Sequence, residues 1–395
     1  MNLLWKNFIN SLKTNKGVFS IGFGDSVGKG ISAIFWFLMA GILGPEQYGE
    51  VHYFLAIAGM GQIFSLIATS ETMTVYTAKK IKIESTLIII SLISGSIAFI
   101  IILVTSLRIE VASLVLAFIL IELANGILLG NRKYQTYAKF FITQKILLFI
   151  LGLGLFYQFG ISGIIAGVAL SHIPYVFVIF KELKKTKIDL SLLIPRKEFI
   201  INNYLIVLSG SFSNQIDKFI IVPILGFALL GEYSLALQIL VMLTIVNNII
   251  FKYILPQDSI GIKNYKLKRN SIIFSVFIAI FGSILLPFII PTIFPDYVET
   301  VDAIRIISWV VIPDTIILIY TSKLLGLEKS KFVLTSNIIS TGILIVGFIL
   351  LGPIFGILGL AGMVLFSACI QCIILYFGKR NLDKGSVKGE KNVQY

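Results

Sequence analysis

Long apolar segments alternate with short polar connections along almost the whole chain. Each segment holds about 20 residues, which is the length that an α-helix needs to cross the hydrocarbon core of a membrane. Read in windows of about 19 residues, the pattern predicts twelve membrane-spanning helices, at residues 17–43, 48–70, 84–106, 110–130, 140–158, 160–181, 200–225, 230–252, 271–290, 303–325, 332–351 and 355–378. We therefore expect an all-α polytopic membrane protein.

The charges in the connections predict the orientation of these spans. Of the 33 Lys and Arg residues, 28 fall in the two termini and in every second connection, and the connections between those hold Arg108 and several acidic residues. Because Lys and Arg favour the cytoplasmic side of a membrane, we expect both termini in the cytoplasm and the chain in the cytoplasmic membrane. The same placement explains the net charge of +13 without a nucleic-acid partner.

Two short motifs recur in the second part of the chain. The polar elbow at residues 43–49, between the first two spans, returns 182 residues later, so that Gly226 corresponds to Gly44. The turn that begins at Gly160 returns 196 residues later at Gly356. Six spans per half is an even number, so the repeat is parallel, and two such halves are expected to face each other across a central cavity.

The repeat also predicts the domain boundaries. We expect an N-terminal six-helix half at residues 1–181, a cytoplasmic linker at 182–199, a C-terminal six-helix half at 200–378 and a basic cytoplasmic tail at 379–395.

Polar side chains inside the predicted spans are the candidate functional residues, because they are costly in lipid unless they face a cavity or a partner. Those singled out for a substrate-binding or translocation cavity are Asp25, Lys29, Glu122, Asn125, Asn214, Asp217, Lys218 and Asp314. A structural alternative stays open for several of them. Asp25 and Lys29, four residues apart on one helical face, could neutralise each other, and Lys218 could reach the interface.

Other polar residues in the spans are expected to serve the structure. Lys145 and Arg305 lie near predicted span ends and should reach lipid headgroups, and His172 should make a satisfied polar contact. Glycines such as Gly24 and Gly28 should allow close helix packing. Cys369 and Cys372 are expected to be small buried thiols without a redox or metal role.

The sequence carries no recognisable enzyme signature. It has two histidines and lacks the HExxH, P-loop and dinucleotide-binding glycine patterns. We therefore expect no enzymatic activity, no cofactor and no bound metal. Without a nucleotide site, the energy for transport would come from an ion gradient, the membrane potential or the gradient of the substrate.

Two stretches carry a resemblance to a known family. The elbow Leu43-Gly44-Pro45-Glu46-Gln47-Tyr48-Gly49 resembles the Leu-Gly-Pro-x-x-Tyr-Gly signature of polysaccharide flippases, the O-antigen and repeat-unit translocases of the multidrug/oligosaccharidyl-lipid/polysaccharide exporter superfamily. Residues 214–221, followed by Leu225-Gly226, are similar to the seventh-helix pattern of that family. The resemblance covers nearly the whole chain, although the second elbow lacks the proline and the tyrosine.

The resemblance implies a MATE-like fold with a V-shaped cavity and the translocation of a polyprenyl-pyrophosphate-linked oligosaccharide. It assigns Lys29 and Lys218 to the anionic headgroup. Candidates for coupling to an ion, H⁺ or Na⁺, or for positioning those bases are Asp25, Glu122, Asp217 and Asp314. Membrane lipids and membrane proteins of glycan assembly are the partners it implies.

Three other interpretations stay open. The same fold could serve a cation-coupled exporter of small drugs or metabolites. A structural scaffold is disfavoured by the charges inside the spans. A sugar-transporter-type twelve-helix fold is disfavoured because the connection at residues 71–85 lacks the Gly-x-x-x-Asp-Arg pattern of that class.

Overall fold

The computed structural model describes residues 16–259, 264–327 and 329–391, and every regular element within these ranges is helical. The prediction of an all-α membrane protein is confirmed. Lys6, Lys13 and residues 392–395, which contribute to the predicted cytoplasmic termini, lie outside the described residues.

Between residues 16 and 196, where the structure describes the chain, there are six α-helices and two short 3₁₀ turns. The helices are α1 Lys16–Ser65, α2 Ser70–Ala78, α3 Glu84–Ser106, α4 Ile109–Gly130, α5 Tyr134–Leu170 and α6 Ile173–Leu183. The 3₁₀ turns are Leu190–Leu192 and Ile194–Arg196.

The second part continues with further helices. They are α7 Lys197–Ser213, α8 Ile216–Leu243, α9 Ile245–Ser259, α10 Tyr265–Ile284, α11 Leu286–Ile293, α12 Thr300–Ile307, a 3₁₀ turn Ser308–Val310, α13 Val311–Gly326 and α14 Ser330–Lys391.

The lengths of the apolar helical segments fit the predicted number of crossings. Eight segments of the described chain are long and apolar enough to span a membrane. Four of them, Ser20–Ser65, Tyr134–Leu183, Leu190–Leu243 and Lys331–Gly378, hold 46 to 54 residues. At a rise of 1.5 Å per residue each of these is about twice as long as one crossing requires. Two crossings in each long segment and one in each short segment give the twelve that the sequence predicts.

Each long segment bends at a glycine that a non-glycine residue could not easily replace. Gly44 and Gly226 have φ/ψ angles of 69°/174° and 85°/178°, and Gly160 and Gly356 have 59°/−137° and 54°/−134°. Only glycine adopts such angles without strain. The glycines pair by conformation in the same way that the sequence repeat pairs them by position, so the repeat is present in the backbone.

The two elbows that contain Gly44 and Gly226 contact each other through small residues. A Cβ atom at Gly49 would overlap the backbone oxygen of Phe227, and a Cβ atom at Gly231 would overlap that of Pro45. The backbones of the two elbows are therefore in direct contact. Each elbow contributes one glycine and one backbone oxygen, at equivalent positions of the repeat.

Small residues also bring α1 close to α5. A Cβ atom at Gly24 would lie 2.7 Å from Cβ of Ala138, and one at Gly28 would lie 2.5 Å from the ring of Phe141. This close approach agrees with the predicted role of Gly24 and Gly28 in helix packing.

Contacts within the chain divide it into two compact units. Of the described residues, unit 1 contains 16–38 and 53–215, and unit 2 contains 39–52 and 216–391. The division falls in the short break between α7 and α8, and the first elbow belongs to unit 2. The predicted domain boundaries at residues 181 and 199 remain a prediction.

The segment that the sequence predicts to be a linker is fastened to unit 1. The backbone N–H of Asp189 donates to Oγ1 of Thr86 at 2.8 Å, and the backbone N–H of Ser85 donates to Oγ1 of Thr186 at 3.2 Å. These bonds tie the segment to the first turn of α3.

Candidate functional site

In unit 1, the candidate Asp25 on α1 is bound by a tyrosine on α5. Oη of Tyr137 donates to Oδ1 of Asp25 at 3.0 Å, and the ring of Tyr137 stacks on that of Phe141 with 8° between their planes. Lys29, one turn after Asp25, is exposed. The sequence pairs Asp25 with Lys29 on its own helix, whereas this hydrogen bond from Tyr137 joins Asp25 to α5.

The candidates on α4 lie near further polar groups of unit 1. Glu122 is close enough to Glu71, Tyr137 and Tyr175 for an electrostatic interaction. Oδ1 of Asn125 is buried without a hydrogen-bond partner among the described residues. The carboxylates of Asp25 and Glu122 both interact electrostatically with Tyr137. The structure therefore places these two predicted residues near each other, between α1, α4 and α5.

Lys145 belongs to the interior of α5, and the expectation that it reaches headgroups from a span end does not fit its surroundings. Its Nζ atom lies 5.3 Å from the ring centroid of Phe141, and it interacts electrostatically with His172. The reason for the difference is the helix start, because α5 begins at Tyr134 and not near residue 140. Lys145 is therefore eleven residues inside the helix.

His172 is a satisfied polar residue, as the sequence predicts. It is 4% exposed, and its Nδ1 atom lies 2.7 Å from the carbonyl oxygen of Val168. Beside it, Nε2 of Gln144 donates to Oγ of Ser171 at 2.8 Å. These bonds hold the junction between α5 and α6 within unit 1.

The predicted seventh span is interrupted at its most polar stretch. α7 ends at Ser213 and α8 begins at Ile216, so the exposed Asn214 lies in the break. Discontinuous helices of this kind are a feature of binding sites in secondary transporters. The sequence did not predict the break, although three polar residues in a row, Ser213 to Gln215, are a signal for it.

In unit 2, the candidates Asp217 and Lys218 form an ion pair at the start of α8. Oδ1 of Asp217 accepts from Nζ of Lys218 at 2.8 Å and from its backbone N–H at 2.9 Å. Oδ2 of Asp217 accepts from Oη of Tyr233 at 3.2 Å. Asp217 is 4% exposed, so a buried carboxylate holds the ammonium group inside a membrane span.

The last candidate, Asp314 on α13, lies beside Asn247, which the charge pattern of the sequence does not single out. Its carboxylate lies close enough to the side chain of Asn247 on α9 for a polar interaction. Nδ2 of Asn247 donates to Oγ1 of Thr315 at 2.7 Å. Asn247 could have been found by the same rule as the other candidates, because it is a polar residue inside the predicted span 230–252.

No cluster that could hold a transition metal appears in the described residues. They contain no group of three or more His, Cys, Asp or Glu side chains with suitable placement. Cys369 and Cys372 are free thiols of intermediate exposure and not fully buried.

Comparisons of the sequence with known families and proteins gave no match. No protein-family model matches the chain. No curated protein matches its sequence either.

Solved structures of transporters do match. An inward-facing multidrug resistance MATE family transporter of the MOP superfamily aligns with a TM-score of 0.68 at 14% identity, covering 94% of this chain and 98% of that one. The lipid II flippase MurJ in an inward closed conformation aligns with a TM-score of 0.72 at 15% identity, covering 91% and 87%. A MOP superfamily transporter from Pyrococcus furiosus aligns with a TM-score of 0.64 at 16% identity, covering 93% and 95%.

These likenesses establish the fold. The chain has the architecture of MATE transporters and of the lipid II flippase MurJ, which confirms the predicted MATE-like fold. The solved proteins that share this fold are transporters and a flippase, not enzymes.

Proposed function

We propose that this protein flips a polyprenyl-pyrophosphate-linked oligosaccharide across the cytoplasmic membrane by alternating access. The observation that carries the proposal is the ion pair between Lys218 and Asp217, at the break between α7 and α8. The pair lies in the stretch that resembles the seventh-helix pattern of polysaccharide flippases.

The chemistry of the pair suits an anionic headgroup. An isolated ammonium group in a membrane span is costly, so it needs an anion beside it. Asp217 fills that role while no substrate is bound, and a pyrophosphate could take over part of it through charge-assisted hydrogen bonds. Lys218 would then exchange one anionic partner for another, and it would remain paired throughout the transport cycle.

Two further lysines could contribute to an anionic site in unit 1. Lys29 is exposed on α1, and Lys145 lies inside α5 beside Phe141. Cations on membrane-spanning helices are rare, and those that occur usually mark a substrate or ion pathway. The similar structure of a lipid II flippase supports a lipid-linked substrate for this fold. We also propose membrane lipids and glycan-assembly membrane proteins as partners.

A cation-coupled exporter of small drugs or metabolites is the second candidate. Similar multidrug MATE transporters favour it, and so do the intramembrane carboxylates Asp25, Glu122 and Asp314. Glycosyltransferase genes beside this gene would favour the flippase, whereas a drug-responsive regulator there would favour the exporter.

The decisive experiment is complementation of a strain that accumulates lipid-linked oligosaccharide inside the cell. The wild-type protein should restore glycan export. Lys29→Ala and Lys218→Ala should each reduce export strongly when export is normalised to the amount of folded protein in the membrane, because Lys218→Ala also leaves the buried Asp217 without its cation. Full export in both variants would contradict the assignment of these lysines.

Lys185→Ala is the matched control. Lys185 is also paired with a carboxylate, Glu182, but its side chain is 49% exposed and it lies beyond the apolar segment that ends at Leu183. Its removal should leave export unchanged. Loss of export in this variant as well would indicate a general effect of lysine removal and would contradict a specific cationic site.

A further inference from the structure

The segment that joins α6 to α7, residues 184–196, exposes three large apolar side chains. Ile188, Leu190 and Ile194 are 58%, 61% and 72% exposed. The segment lies where one apolar stretch of the chain ends, at Leu183, and the next one begins, at Leu190. What covers the three side chains therefore depends on the depth of the segment relative to the membrane.

Hydrogen bonds to α3 place the segment at the level of the lipid headgroups. α3 has 23 residues, so it is about 35 Å long, which is close to the thickness of one hydrocarbon core. Its first turn therefore lies at one surface of the membrane. There, Oγ1 of Thr86 accepts from the backbone N–H of Asp189 at 2.8 Å, and the hydroxyl groups of Ser85 and Thr186 are hydrogen-bonded to each other. The segment cannot leave this level without breaking both contacts.

The segment has a fixed shape as well as a fixed depth. Oδ1 of Asp189 accepts from the backbone N–H of Ser191 at 2.9 Å, which caps the 3₁₀ turn that follows. Nη1 of Arg196 donates to the carbonyl oxygen of Leu192 at 2.8 Å, and its guanidinium group lies 6.0 Å from the ring centroid of Tyr76 on α2. The charges of Asp189 and Arg196 are therefore engaged within unit 1.

The remaining positive charges of this region face outwards. The exposed lysines that form no ion pair with a described residue are Lys184, Lys187 and Lys197. Lys185 differs from them, because Oε2 of Glu182 lies 3.0 Å from its Nζ atom. One exposed carboxylate, Glu198, offsets only part of the charge of the three lysines. Apolar side chains interleaved with lysines are typical of segments that lie in the interface of an anionic membrane.

We propose that this region is a binding surface for anionic phospholipids. Ile188, Leu190 and Ile194 enter the boundary between the headgroups and the acyl chains. The three lysines, Lys184, Lys187 and Lys197, contact headgroup phosphates. A zwitterionic lipid accepts the apolar side chains equally well, but it offers the lysines no net negative charge. A protein partner at this level has to displace the headgroups first, so lipid is the favoured occupant.

The charge pattern of the sequence predicts that the leaflet concerned is the cytoplasmic one. The proposal does not rest on the proposed transport function, because it concerns the lipids around the protein and not a transported molecule.

The test measures which lipid lies next to the segment in a bilayer. Ile194→Cys, in a Cys369→Ser, Cys372→Ser background, carries the fluorophore NBD, and the full-length protein is placed in nanodiscs of phosphatidylcholine. A small fraction of the lipid is replaced by phosphatidylglycerol or phosphatidylcholine with a nitroxide near the headgroup, which quenches NBD on contact. We expect severalfold stronger quenching by phosphatidylglycerol at equal mole fraction. The two lipids should quench almost equally at about 1 M salt, where the Debye length is about 3 Å.

Substitution of the lysines tests their role without a change in the apolar side chains. The triple variant Lys184→Gln, Lys187→Gln, Lys197→Gln should lose the preference for phosphatidylglycerol. Among single variants, Lys187→Gln should lower the preference more than the matched control Lys185→Gln, because Glu182 already balances the charge of Lys185. The salt experiment needs no lysine substitution, so it tests the proposal even if the triple variant is unstable.

A second control moves the fluorophore to another exposed side chain. Tyr157→Cys places NBD on α5, and the sequence has no Lys or Arg between residues 146 and 180. Both labelled lipids should quench NBD equally there. A preference for phosphatidylglycerol at this position as well would indicate general enrichment around the protein and would contradict a specific surface.

The other possible results at Ile194→Cys overturn the proposal. Equal quenching by both lipids at low salt would indicate contact with the membrane that ignores lipid charge. Quenching by aqueous iodide alone would place the segment in water, and quenching by neither iodide nor lipid would indicate a surface covered by protein. The assay contains no glycan lipid, so a failure of the lipid surface and a failure of the proposed transport function are distinguishable.

Discussion

Asp217 is held by several hydrogen bonds at the start of α8. Its two oxygen atoms accept three hydrogen bonds, from the backbone and side chain of Lys218 and from Tyr233. A carboxylate and an ammonium group inside a membrane span are each unfavourable alone, and the pair offsets most of that cost. Removal of one partner therefore has a larger effect than removal of both.

Asp217→Asn should destabilise the protein by about 3–5 kcal/mol, because it leaves the buried ammonium group of Lys218 without its anion. Tyr233→Phe removes one hydrogen bond and should cost about 1 kcal/mol. The double variant Asp217→Asn, Lys218→Met should recover much of the lost stability. Melting temperatures in detergent test this ranking, and a double variant less stable than Asp217→Asn alone would contradict it.

At this scale the sequence predicts which residue types matter but not which partners they have. Asp217 and Lys218 are neighbours in the chain, so their pairing could be anticipated. The partner of Asp25 could not, because Tyr137 is 112 positions away and tyrosines are common in membrane spans. Asn247 was missed for a related reason, since a single amide in an apolar span attracts less attention than a charge.

At the scale of helices, the internal repeat is visible in the four glycines at which the long helical segments bend. Gly44 and Gly226 share one conformation, and Gly160 and Gly356 share another. The first conformation, with φ near +70° to +85° and ψ near 180°, is essentially restricted to glycine. A Cβ atom would meet no other atom at Gly226, so a substitution there tests the backbone conformation alone.

Gly226→Ala should destabilise the protein by about 1–3 kcal/mol, because alanine at this φ and ψ is strained. The control is Gly154→Ala in α5, where a Cβ atom also meets open space. That change should be neutral or stabilising by up to about 1 kcal/mol, because alanine favours the helix. Equal melting temperatures of the two variants would argue against the strained conformation at Gly226.

The helices themselves are largely predictable, and their breaks are less so. The span predicted at 84–106 coincides with α3 Glu84–Ser106, because the apolar run lies between two charged residues, Glu84 and Arg108. The hydropathy pattern does not predict the break between α7 and α8, because hydropathy averages over about 19 residues and three consecutive polar residues barely change that average.

At the scale of the whole molecule, the fold follows from the sequence and the internal boundary does not. Hydropathy and charge predict twelve spans with a parallel repeat, and the resemblance to polysaccharide flippases implies a MATE-like architecture. The similar solved structures confirm that fold. The division between Gln215 and Ile216 and the membership of residues 39–52 in unit 2 arise from tertiary contacts. Hydropathy and charge carry no information on such contacts.

The orientation in the membrane is testable by cysteine labelling. In a Cys369→Ser, Cys372→Ser background, Leu107→Cys should react with an impermeant maleimide in intact cells, because the charge pattern predicts this connection outside. Lys185→Cys should react only after permeabilisation. Both side chains are exposed, so accessibility of the thiol does not limit the reaction. Labelling of Lys185→Cys in intact cells would overturn the predicted topology.

The contact between the two elbows has a consequence for the origin of the chain. Pro45 and Phe227 are equivalent positions of the repeat, and so are Gly49 and Gly231. Gly49 packs on the backbone oxygen of Phe227, and Gly231 packs on the backbone oxygen of Pro45. This is the reciprocity of an isologous interface in a symmetric homodimer. A gene for one six-helix half would already have encoded both faces of this contact. Duplication and fusion would then have joined two subunits that fitted each other beforehand.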